Sequence, residues 1–509
     1  MGDGLRGLLF VVAGVMFWTK WLFFGLKCCI FGFVNAPKGG ATRVWEGLNF
    51  RDMFKKFINF YKTSAPVAQL EISDEAKDKL YKKLRFQAFA AGTIGYSLYY
   101  VCRTSLNVVK KPILDSGALD ATQLGVIGSS LLFAYAIGKF VNGFLADYSN
   151  IKRFMATGLA VSAVANLLMG VLGLASGAAV SSAVLFIAMS IMWAINGWSQ
   201  SMGSPPSVIA LSRWYPLDKR GTYYGFFSAS HNIGEFFSFL FVGSLVATAG
   251  WQWGFFGSTI AGVLGVIFII LFMHDTPESK GLPSITELAH EQKQESDNQS
   301  VKDVQKLALR TPAVWILALA SSFMYISRYA INGWGVLYLQ EAKGFDLVDA
   351  TQIISINALL GIIGTVFSGW ISDKFFKGSR NIPALVAGVL NTVGLMLFVY
   401  GGNSWFVNAL SMVIFGIAIG VLISFLGGLM AVDVVPRKAS GAALGVVGMA
   451  SYVAAGIQDV VSGALIDAGK TVVDGVTTYD FSTAAIFWIG ASVVSFVLPI
   501  FNWRKKANA

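Results

Sequence analysis

The sequence is poor in cysteine and in charge. Among 509 residues, cysteine occurs only at Cys28, Cys29 and Cys102, two of them adjacent and the third inside a predicted helix. This spacing indicates neither a disulfide framework nor a thiolate metal site. Charged residues make up 13% of the chain and hydrophobic residues 55%, and the mean hydropathy is +0.62. These values exclude an ordinary soluble domain and are typical of a protein that crosses a membrane many times.

The sequence also lacks a phosphate-binding loop of the form G-x-x-x-x-G-K-S/T, so nothing indicates a step driven by ATP. The net charge of +11 would suggest nucleic-acid binding in a soluble chain. Here the basic residues form short clusters between apolar runs, which is the positive-inside pattern of membrane proteins. We therefore expect the lipid bilayer as the surroundings, and no nucleic-acid partner, metal or cofactor.

Apolar windows of about 20 residues recur from Phe86 onward, and each is long enough to cross about 30 Å of hydrocarbon as a helix. Basic linkers alternate with neutral or mixed ones, so both ends of this helical body are expected to be cytoplasmic, in the cell (inner) membrane. The sequence predicts an all-α membrane protein with twelve spans, at approximately 86–109, 124–146, 154–175, 181–211, 222–247, 252–273, 313–339, 351–372, 382–401, 405–432, 441–466 and 480–503.

Residues 1–84 form an extension before this body. The apolar run 8–34 is interrupted by Lys20 and Lys27, and no small-residue cleavage site follows it, which argues against a removable signal peptide. Three interpretations stay open: an extra tilted span, an interfacial helix with snorkelling lysines, or a poorly ordered leader. The charged segment 71–85 has helical spacing and is interpreted as a solvated helix.

A polar loop at 274–311 divides the twelve spans into two sets of six. The sets share short patterns at spacings of 220 to 226 residues, so the two halves run in register. The sequence therefore predicts two pseudo-symmetric bundles, 85–273 and 312–509, with a binding site between them. The matched patterns are GFLADYSNIKR at 143–153 with GWISDKFFKGSR at 369–380, and RGTYYG at 220–225 with SGAALG at 440–445.

Two arginines lie inside predicted spans at matched depth. Arg103 and Arg328 each follow a basic flank, Arg85 or Arg310, by eighteen residues, and each has aromatic neighbours and no acid close in sequence. A guanidinium at membrane depth is costly, so such a residue usually faces a water-filled cavity and is kept for function. The pair predicts one central anion site.

Further polar residues fall near these arginines. Tyr96 and Tyr99 precede Arg103 by seven and four residues, along its face of the helix, where they would bind substrate oxygens or simply pack. Lys139 is a third cation in an apolar span, with Tyr135 one turn earlier. It would attract anions, or pair with the acidic loop that follows its helix.

Histidine and acidic residues occur in the fifth and eleventh spans. His231 would bind phosphate and change charge with it, or else pack and bond to Glu235, one turn later. Glu235 is unexpected beside an anion site, and we expect it to balance charge or to hold a cation in one gating state. Gln458 and Asp459 are polar positions in the eleventh span that would bind substrate hydroxyl groups.

From about residue 86 to the end, the twelve spans, the central loop and the paired G-x-x-x-D loops resemble the major facilitator superfamily. Within it, four motifs in order resemble the organophosphate:phosphate antiporters, which take up glycerol 3-phosphate or hexose 6-phosphates in exchange for inorganic phosphate. The motifs are YYVCRTSLNVVKKP at 99–112, NGWSQSMGSPP at 196–206, RWYPLDKRGTYYGFFSASHNIG at 213–234 and DTPESKGLP at 275–283.

This resemblance implies that the substrate phosphate lies between Arg103 and Arg328, since arginine can grip two phosphate oxygens where lysine offers a point charge. It also implies that Lys139 is a secondary anion attractor and that His231 takes part in phosphate binding. The chain departs from the family pattern at Thr104, where a second basic residue is usual.

The resemblance further implies gating roles for Asp147 and Asp373 in the matched loops, where they would cap helices and hold the cytoplasmic face closed through charge pairs. In hexose-phosphate members the region of Gln458 and Asp459 carries an acid and a lysine that bear on substrate choice. Here the aspartate stands without that lysine.

We expect a monomer that exchanges a sugar phosphate, such as glucose 6-phosphate, for inorganic phosphate by alternating access. Hexose phosphate is favoured because Gln458 and Asp459 add hydroxyl-binding groups, and glycerol 3-phosphate is the alternative. Two rivals remain. One is a receptor that senses sugar phosphate with little flux. The other is a proton-coupled symporter of an uncharged compound that uses Glu235 or Asp459.

Overall fold

A computed structural model describes residues 59–177, 180–288, 309–377, 379–436, 439–474 and 476–502. Twelve long helices make up most of these residues. They are α1 Asp74–Asp115, α2 Ala121–Asp147, α3 Ile151–Ala175, α4 Ser182–Trp214, α5 Lys219–Ala249, α6 Gln252–Phe272, α7 Pro312–Lys343, α8 Leu347–Phe375, α9 Asn381–Tyr400, α10 Trp405–Asp433, α11 Ser440–Ala468 and α12 Ser482–Phe501.

Eleven of these helices, α2 to α12, are long and apolar enough to cross a membrane. Helix α1 has 42 residues, which is ample length, but Arg103, Lys110 and several tyrosines make it more polar than the others. It packs against α5 and α6 and buries these polar residues inside the bundle. Helix α1 is therefore the twelfth helix that the sequence predicts. It is less apolar than the others because the polar residues it carries are buried inside the bundle.

Three helices contain interruptions. Helix α4 bends where Pro205 and Pro206 start its second part, because proline lacks the N–H that would continue the first. The interrupted helices are α4 with Ser182–Gln200 and Ser204–Trp214, α5 with a break at Ala229 before Ser230–Ala249, and α10 with Trp405–Ser424, a π-helical turn Phe425–Leu429 and Met430–Asp433.

The internal repeat extends to the helix caps. The Asp120 side chain accepts a hydrogen bond from the backbone N–H of Gln123 at 2.7 Å, before α2. The Asp346 side chain accepts from the N–H of Asp349 at 2.8 Å, before α8. The two caps are 226 residues apart, the same spacing as that of the loop aspartates in the matched patterns. Each cap satisfies an N–H group that the helix leaves unpaired.

We call the end of the bundle with the loops after α2, α4, α6, α8 and α10 the basic end, and the other the opposite end. At the opposite end the first six helices bond directly to the last six. Lys111 of α1 forms an ion pair with Glu341 of α7. The Thr122 hydroxyl of α2 donates to the Asp467 carboxylate of α11 at 3.0 Å. In the described part of the chain, no hydrogen bond or ion pair joins the halves at the basic end.

Glycines show the same difference between the ends. At the opposite end Gly125 of α2 lies against the backbone of Gly463 in α11, and Gly243 of α5 lies against Thr351 of α8. At the basic end a side chain would meet nothing within 4 Å if it were added at the starts of α5 and α11, at Gly221, Gly225, Gly441 or Gly445. The two halves are therefore closed together at the opposite end and apart at the basic end.

Residues 59–73, which we call the strap, lie along the basic end of the first six helices. The Tyr61 carbonyl accepts from the Asn150 N–H at 2.6 Å, and the Leu70 N–H donates to the Gly281 carbonyl at 2.9 Å. Helix α1 starts at Asp74, so the segment 71–85 is mostly helical and largely exposed, as expected, but it is the first part of a bundle helix and not a leader helix of its own. The apolar run 8–34 lies outside the described residues.

A short antiparallel hairpin joins α11 to α12 at the opposite end. Strand β1 is Lys470–Val473 and β2 is Val476–Tyr479, with Lys470 opposite Tyr479. The hairpin is an addition to the all-α architecture that the sequence predicts.

Candidate functional site

Arg103 lies at the middle of α1 and is only 5% exposed. Its guanidinium donates to the Tyr329 hydroxyl at 2.8 Å. Its Cζ lies 4.4 Å from the ring centre of Tyr135 and 5.4 Å from those of Tyr100 and Tyr452. Aromatic faces stabilise a cation but do not neutralise it. Among the described residues, no carboxylate forms an ion pair with Arg103.

Arg328 of α7 is equally buried, at 5% exposed, but has an acidic partner. Its Nη2 lies 3.4 Å from Glu235 Oε2, and Asn332 Nδ2 donates to Glu235 Oε1 at 2.7 Å. The acid comes from α5, in the other half, so sequence neighbours do not reveal it. Glu235 therefore bonds to α7, and not to His231, which was one of the alternatives.

A small cavity lies between the halves, on the side of Arg103 toward the opposite end. Its charged lining residues are Arg103, Glu235 and Asp459. Glu235 is within electrostatic range of both arginines. Other polar groups in the wall are Tyr100, Thr104, Asn107, Tyr329 and Asn332. The cavity thus combines groups for an anion with groups that can bind hydroxyls.

A buried ion pair closes the far end of this cavity. Lys110 is fully buried, and its Nζ lies 3.3 Å from Asp459 Oδ1 and 3.4 Å from the ring centre of Trp334. Trp334 Nε1 also donates to Asp459 Oδ1, at 2.6 Å. The first span predicted from the sequence ends at about residue 109, so Lys110 fell just outside it. Instead α1 continues to Asp115, with Pro112 in its last turn.

Helical spacing along α1 points to Lys110, which was not among the predicted site residues. Asn107 and Lys110 follow Arg103 by four and seven residues, so all three lie on one face of α1.

The other predicted cations lie nearer the basic end. His231 is half-buried, with its ring 5.8 Å from that of Tyr100, and its Nε2 has no hydrogen-bond partner in the described structure. Lys139 is exposed, and its Nζ lies 5.2 Å from the ring centre of Tyr452. It forms no ion pair with Asp147. Both residues lie on the side of Arg103 toward the basic end.

The structure separates the remaining predicted residues. Tyr135 lies against Arg103, and Tyr96 packs 5.5 Å from the Tyr100 ring. Tyr99 does not face the cavity, because its hydroxyl donates to the Met155 carbonyl of α3.

Gln458 does not line the cavity either. It is fully buried and its Nε2 donates to Ser462 at 2.8 Å, on another face of α11 than Asp459.

Sequence comparison shows the family. A model of the Major Facilitator Superfamily matches residues 92–458. The glycerol-3-phosphate transporter of Bacillus subtilis is 31% identical over 466 residues, covering 89% of this chain and 99% of that protein. A probable hexose phosphate transport protein of Chlamydia pneumoniae is 31% identical over 422 residues, covering 78% and 88%. The chain belongs to the organophosphate:phosphate antiporter family of the Major Facilitator Superfamily.

Two further similarities bear on this membership. The membrane sensor protein UhpC of Salmonella typhimurium is 32% identical over 412 residues, covering 79% of this chain and 89% of that protein. Among solved structures, an inward-facing bacterial homologue of the lysosomal transporter Spinster has a TM-score of 0.65 at 16% identity, covering 82% of this chain and 95% of that one. The expected major facilitator fold is confirmed, and the chain is a membrane transporter and not an enzyme.

In this family member the loop aspartates bond within their own halves. The Asp147 carbonyl accepts from Arg213 Nη2 at 3.1 Å. Arg380 lies 3.5 Å from Asp373 and 2.9 Å from Asp433. Because the basic end is open, this arrangement shows only one state of the loops, and their gating role stays a prediction.

Asp275 joins several parts of the basic end in the first half. Its carboxylate accepts from the Ser64 N–H of the strap at 2.7 Å and from the Ile151 N–H at 3.1 Å, and it pairs with Arg213. Beside it, burial lowers the pKa of His274 to about 4, with smaller effects from nearby lysines. His274 is therefore neutral near pH 7.

Proposed function

We propose that this transporter imports a sugar phosphate, such as a hexose 6-phosphate, in exchange for inorganic phosphate. The observation that carries the proposal is that each half contributes one buried arginine near the cavity: Arg103 lines it, and Arg328 pairs with Glu235 of its wall. A guanidinium grips two phosphate oxygens at once. The names of the glycerol-phosphate and hexose-phosphate relatives support the same substrate class.

The open basic end provides the route in this state. We take it as the cytoplasmic end, by the positive-inside rule, so that both ends of the helical body are cytoplasmic in the inner membrane. Lys139 and His231 attract the anion along the way. A phosphate that bridges Arg103 and Arg328 draws the two halves together at the basic end.

Closure at the basic end must be matched by opening at the opposite end. This opening breaks the ion pair of Lys111 with Glu341 and the hydrogen bond of Thr122 with Asp467. A loaded carrier neutralises Arg103 and crosses, whereas the empty one keeps an unneutralised cation at the interface and crosses slowly. This difference makes exchange obligatory. A single chain contains every group required, so we propose a monomer.

The cavity beyond Arg103 favours a polyhydroxylated substrate over glycerol 3-phosphate. Asn107, Asn332 and Asp459 line it, and Asn332 Oδ1 has no partner in the described structure. These groups suit the ring hydroxyls of a hexose.

We expect Asp459→Ala to change the ratio of glucose 6-phosphate to glycerol 3-phosphate affinity by about tenfold, equivalent to roughly 1.4 kcal/mol. Competition with labelled phosphate measures the ratio, and exchange of phosphate for phosphate should continue. Equal loss of sugar-phosphate and phosphate exchange would contradict the assignment of Asp459 to the sugar.

The central test is exchange of labelled phosphate in proteoliposomes preloaded with phosphate. Arg103→Ala and Arg328→Ala should each reduce exchange by at least about thirtyfold, because truncating one partner of a buried charge contact costs about 2–5 kcal/mol. Arg85→Ala is the matched control on α1, since Arg85 stacks on Tyr81 and Tyr215 outside the cavity. Normal exchange in either site variant would overturn the proposal.

A sensor is the second candidate function, because a membrane sensor protein is among the relatives at 32% identity. The same proteoliposomes decide between the two. A sensor would bind glucose 6-phosphate, and lose that binding in Arg103→Ala, while the wild-type protein exchanged almost no phosphate.

A further inference from the structure

Glu235 makes the two site arginines unequal. Arg328 is paired with its carboxylate at 3.4 Å, whereas Arg103 has only the Tyr329 hydroxyl and aromatic rings. Lys110 and Asp459 are a second ion pair in the same wall. With both acids ionised, the three cations exceed the two carboxylates by one positive charge. The empty site therefore carries one net positive charge, which a ligand with one negative charge would neutralise.

A phosphate ester does not match this balance at neutral pH. Its second pKa is about 6, so it carries nearly two negative charges near pH 8 and one below pH 6. A dianion held between Arg103 and Arg328 would lie close to the Glu235 carboxylate. Like charges at short range in a site of low dielectric repel strongly, and one of them then takes up a proton.

We propose that Glu235 makes the site bind a phosphate ester together with one proton. This inference rests on the proposed function. The proton comes from the acid form of the buffer, which becomes its conjugate base, and it ends on a phosphate oxygen or on a Glu235 oxygen. Glu235 is thereby a specificity-determining residue, which selects the monoanionic form or its equivalent.

The groups around Glu235 limit the alternatives. Arg328 and Asn332 face it from α7, and Arg103 faces it from α1. His231 lies one turn earlier on α5, with an unpartnered Nε2, and is the other group that can take a proton when an anion binds. The experiment must therefore separate Glu235 from His231.

The first measurement uses the wild-type protein in lipid nanodiscs. Calorimetric titration with glucose 6-phosphate at pH 8, in two buffers of different ionisation enthalpy, should show uptake of about one proton per ligand, since the free ester is a dianion at that pH. Glucose 6-sulfate carries one charge at every pH used and should bind without proton uptake. From pH 6 to pH 8 the Kd for glucose 6-phosphate should rise about fiftyfold, following the monoanion fraction.

Three variants assign the effect. Glu235→Gln should take up no proton and should reduce the rise in Kd to less than about threefold, because the site then balances a dianion. His231→Gln should keep the uptake of one proton. Glu341→Gln is the matched control, because it removes a carboxylate from another ion pair between α1 and α7, outside the cavity.

The outcomes are distinct. Binding of glucose 6-phosphate to the wild-type protein without proton uptake would overturn the inference, and this result does not depend on whether Glu235→Gln folds. Proton uptake that persists in folded Glu235→Gln would also overturn it. So would proton uptake that disappears in His231→Gln alone. Folded Glu235→Gln that binds at neither pH would also contradict it, since removing the competing carboxylate must free Arg328. Failure of the proposed function gives another result, namely no exchange of phosphate by the wild-type protein in proteoliposomes, whether or not it binds glucose 6-phosphate.

Discussion

The two ends of the bundle differ in how α2 meets α11. At the opposite end Gly125 and Gly463 bring the two backbones into contact. In the middle, the Tyr135 and Tyr452 rings lie 4.5 Å apart. Toward the basic end, a side chain added at Gly448 of α11 would still meet Lys139 of α2, whereas one added at Gly445 would meet nothing within 4 Å.

The face of α11 that contacts α2, which we call the α11 stripe, nevertheless continues to the basic end. The positions that meet α2 recur every three or four residues, as one face of a helix requires. Gly445 and Gly441 extend that face into open space. We infer that closing the basic end brings these glycines against α2, as Gly463 now meets Gly125. The contacts on this face of α11 are Gly463, Asp459, Gly456, Tyr452 and Gly448.

The largest effect is expected from Gly445→Leu. The added side chain meets open space in this state, so folding and binding of glucose 6-phosphate should be retained. Closure of the basic end should fail, and phosphate exchange should fall below about a twentieth of wild type, equivalent to roughly 1.8 kcal/mol or more at the barrier. Exchange in proteoliposomes and binding in nanodiscs measure the two quantities.

The control for this variant is Gly490→Leu in α12, which also adds a side chain into open space. Gly490 lies outside the interface of the halves, so exchange should be nearly normal. If Gly445→Leu exchanges as fast as this control, the α11 stripe does not close the basic end.

A smaller effect, of opposite direction, is expected from Gly125→Leu. A side chain there would collide with the backbone of Asp459, which cannot move aside easily. We expect a loss of about 1–3 kcal/mol from the state that is closed at the opposite end. The population should move toward the state that is closed at the basic end.

Distances between spin labels at Tyr148→Cys and Phe375→Cys would report this shift, since both positions are exposed at the basic end, in different halves. Replacing Cys28, Cys29 and Cys102 by serine leaves only these two thiols. Gly125→Leu should shorten the mean distance and Gly445→Leu should leave only long distances. The same distribution in both variants would show that the glycines do not set the balance.

The smallest effect is expected from Glu341→Gln. Its ion pair with Lys111 is partly exposed, and such pairs contribute about 0–1 kcal/mol. Exchange should therefore change by less than about fivefold. A larger loss would mean that polar contacts, and not the glycine contacts, hold the opposite end closed.

The sequence predicted the repeat, the helices and the two arginines, because each follows from patterns along one chain. A cation at matched depth in two apolar helices is visible without coordinates. The sequence did not predict the ion-pair partner of Arg328 or that of Lys110. Glu235 lies 93 residues from Arg328, and Asp459 lies 349 residues from Lys110. Pairs between the halves depend on how the bundles dock, and docking leaves no periodic signal.

The tyrosines show a second limit. Tyr96 and Tyr99 precede Arg103 by seven and four residues, which predicts the same helix face for both. Tyr96 packs near the Tyr100 ring, whereas the Tyr99 hydroxyl donates to a carbonyl of α3. Helical spacing gives the face of a helix only to within a turn, and a helix that is buried on most sides has neighbours on all faces. Tyr452, which lies against Arg103, gave no signal because it stands alone in a small-residue stretch of α11.

The pairing of Glu235 with Arg328 also has an electrical consequence. Moving one unbalanced charge across a membrane at 100 mV changes the free energy by about 2.3 kcal/mol. If each ligand crosses as the equivalent of a monoanion, an inward sugar phosphate and an outward phosphate carry the same charge. The exchange cycle then moves no net current, and its direction follows the two concentration gradients and not the voltage.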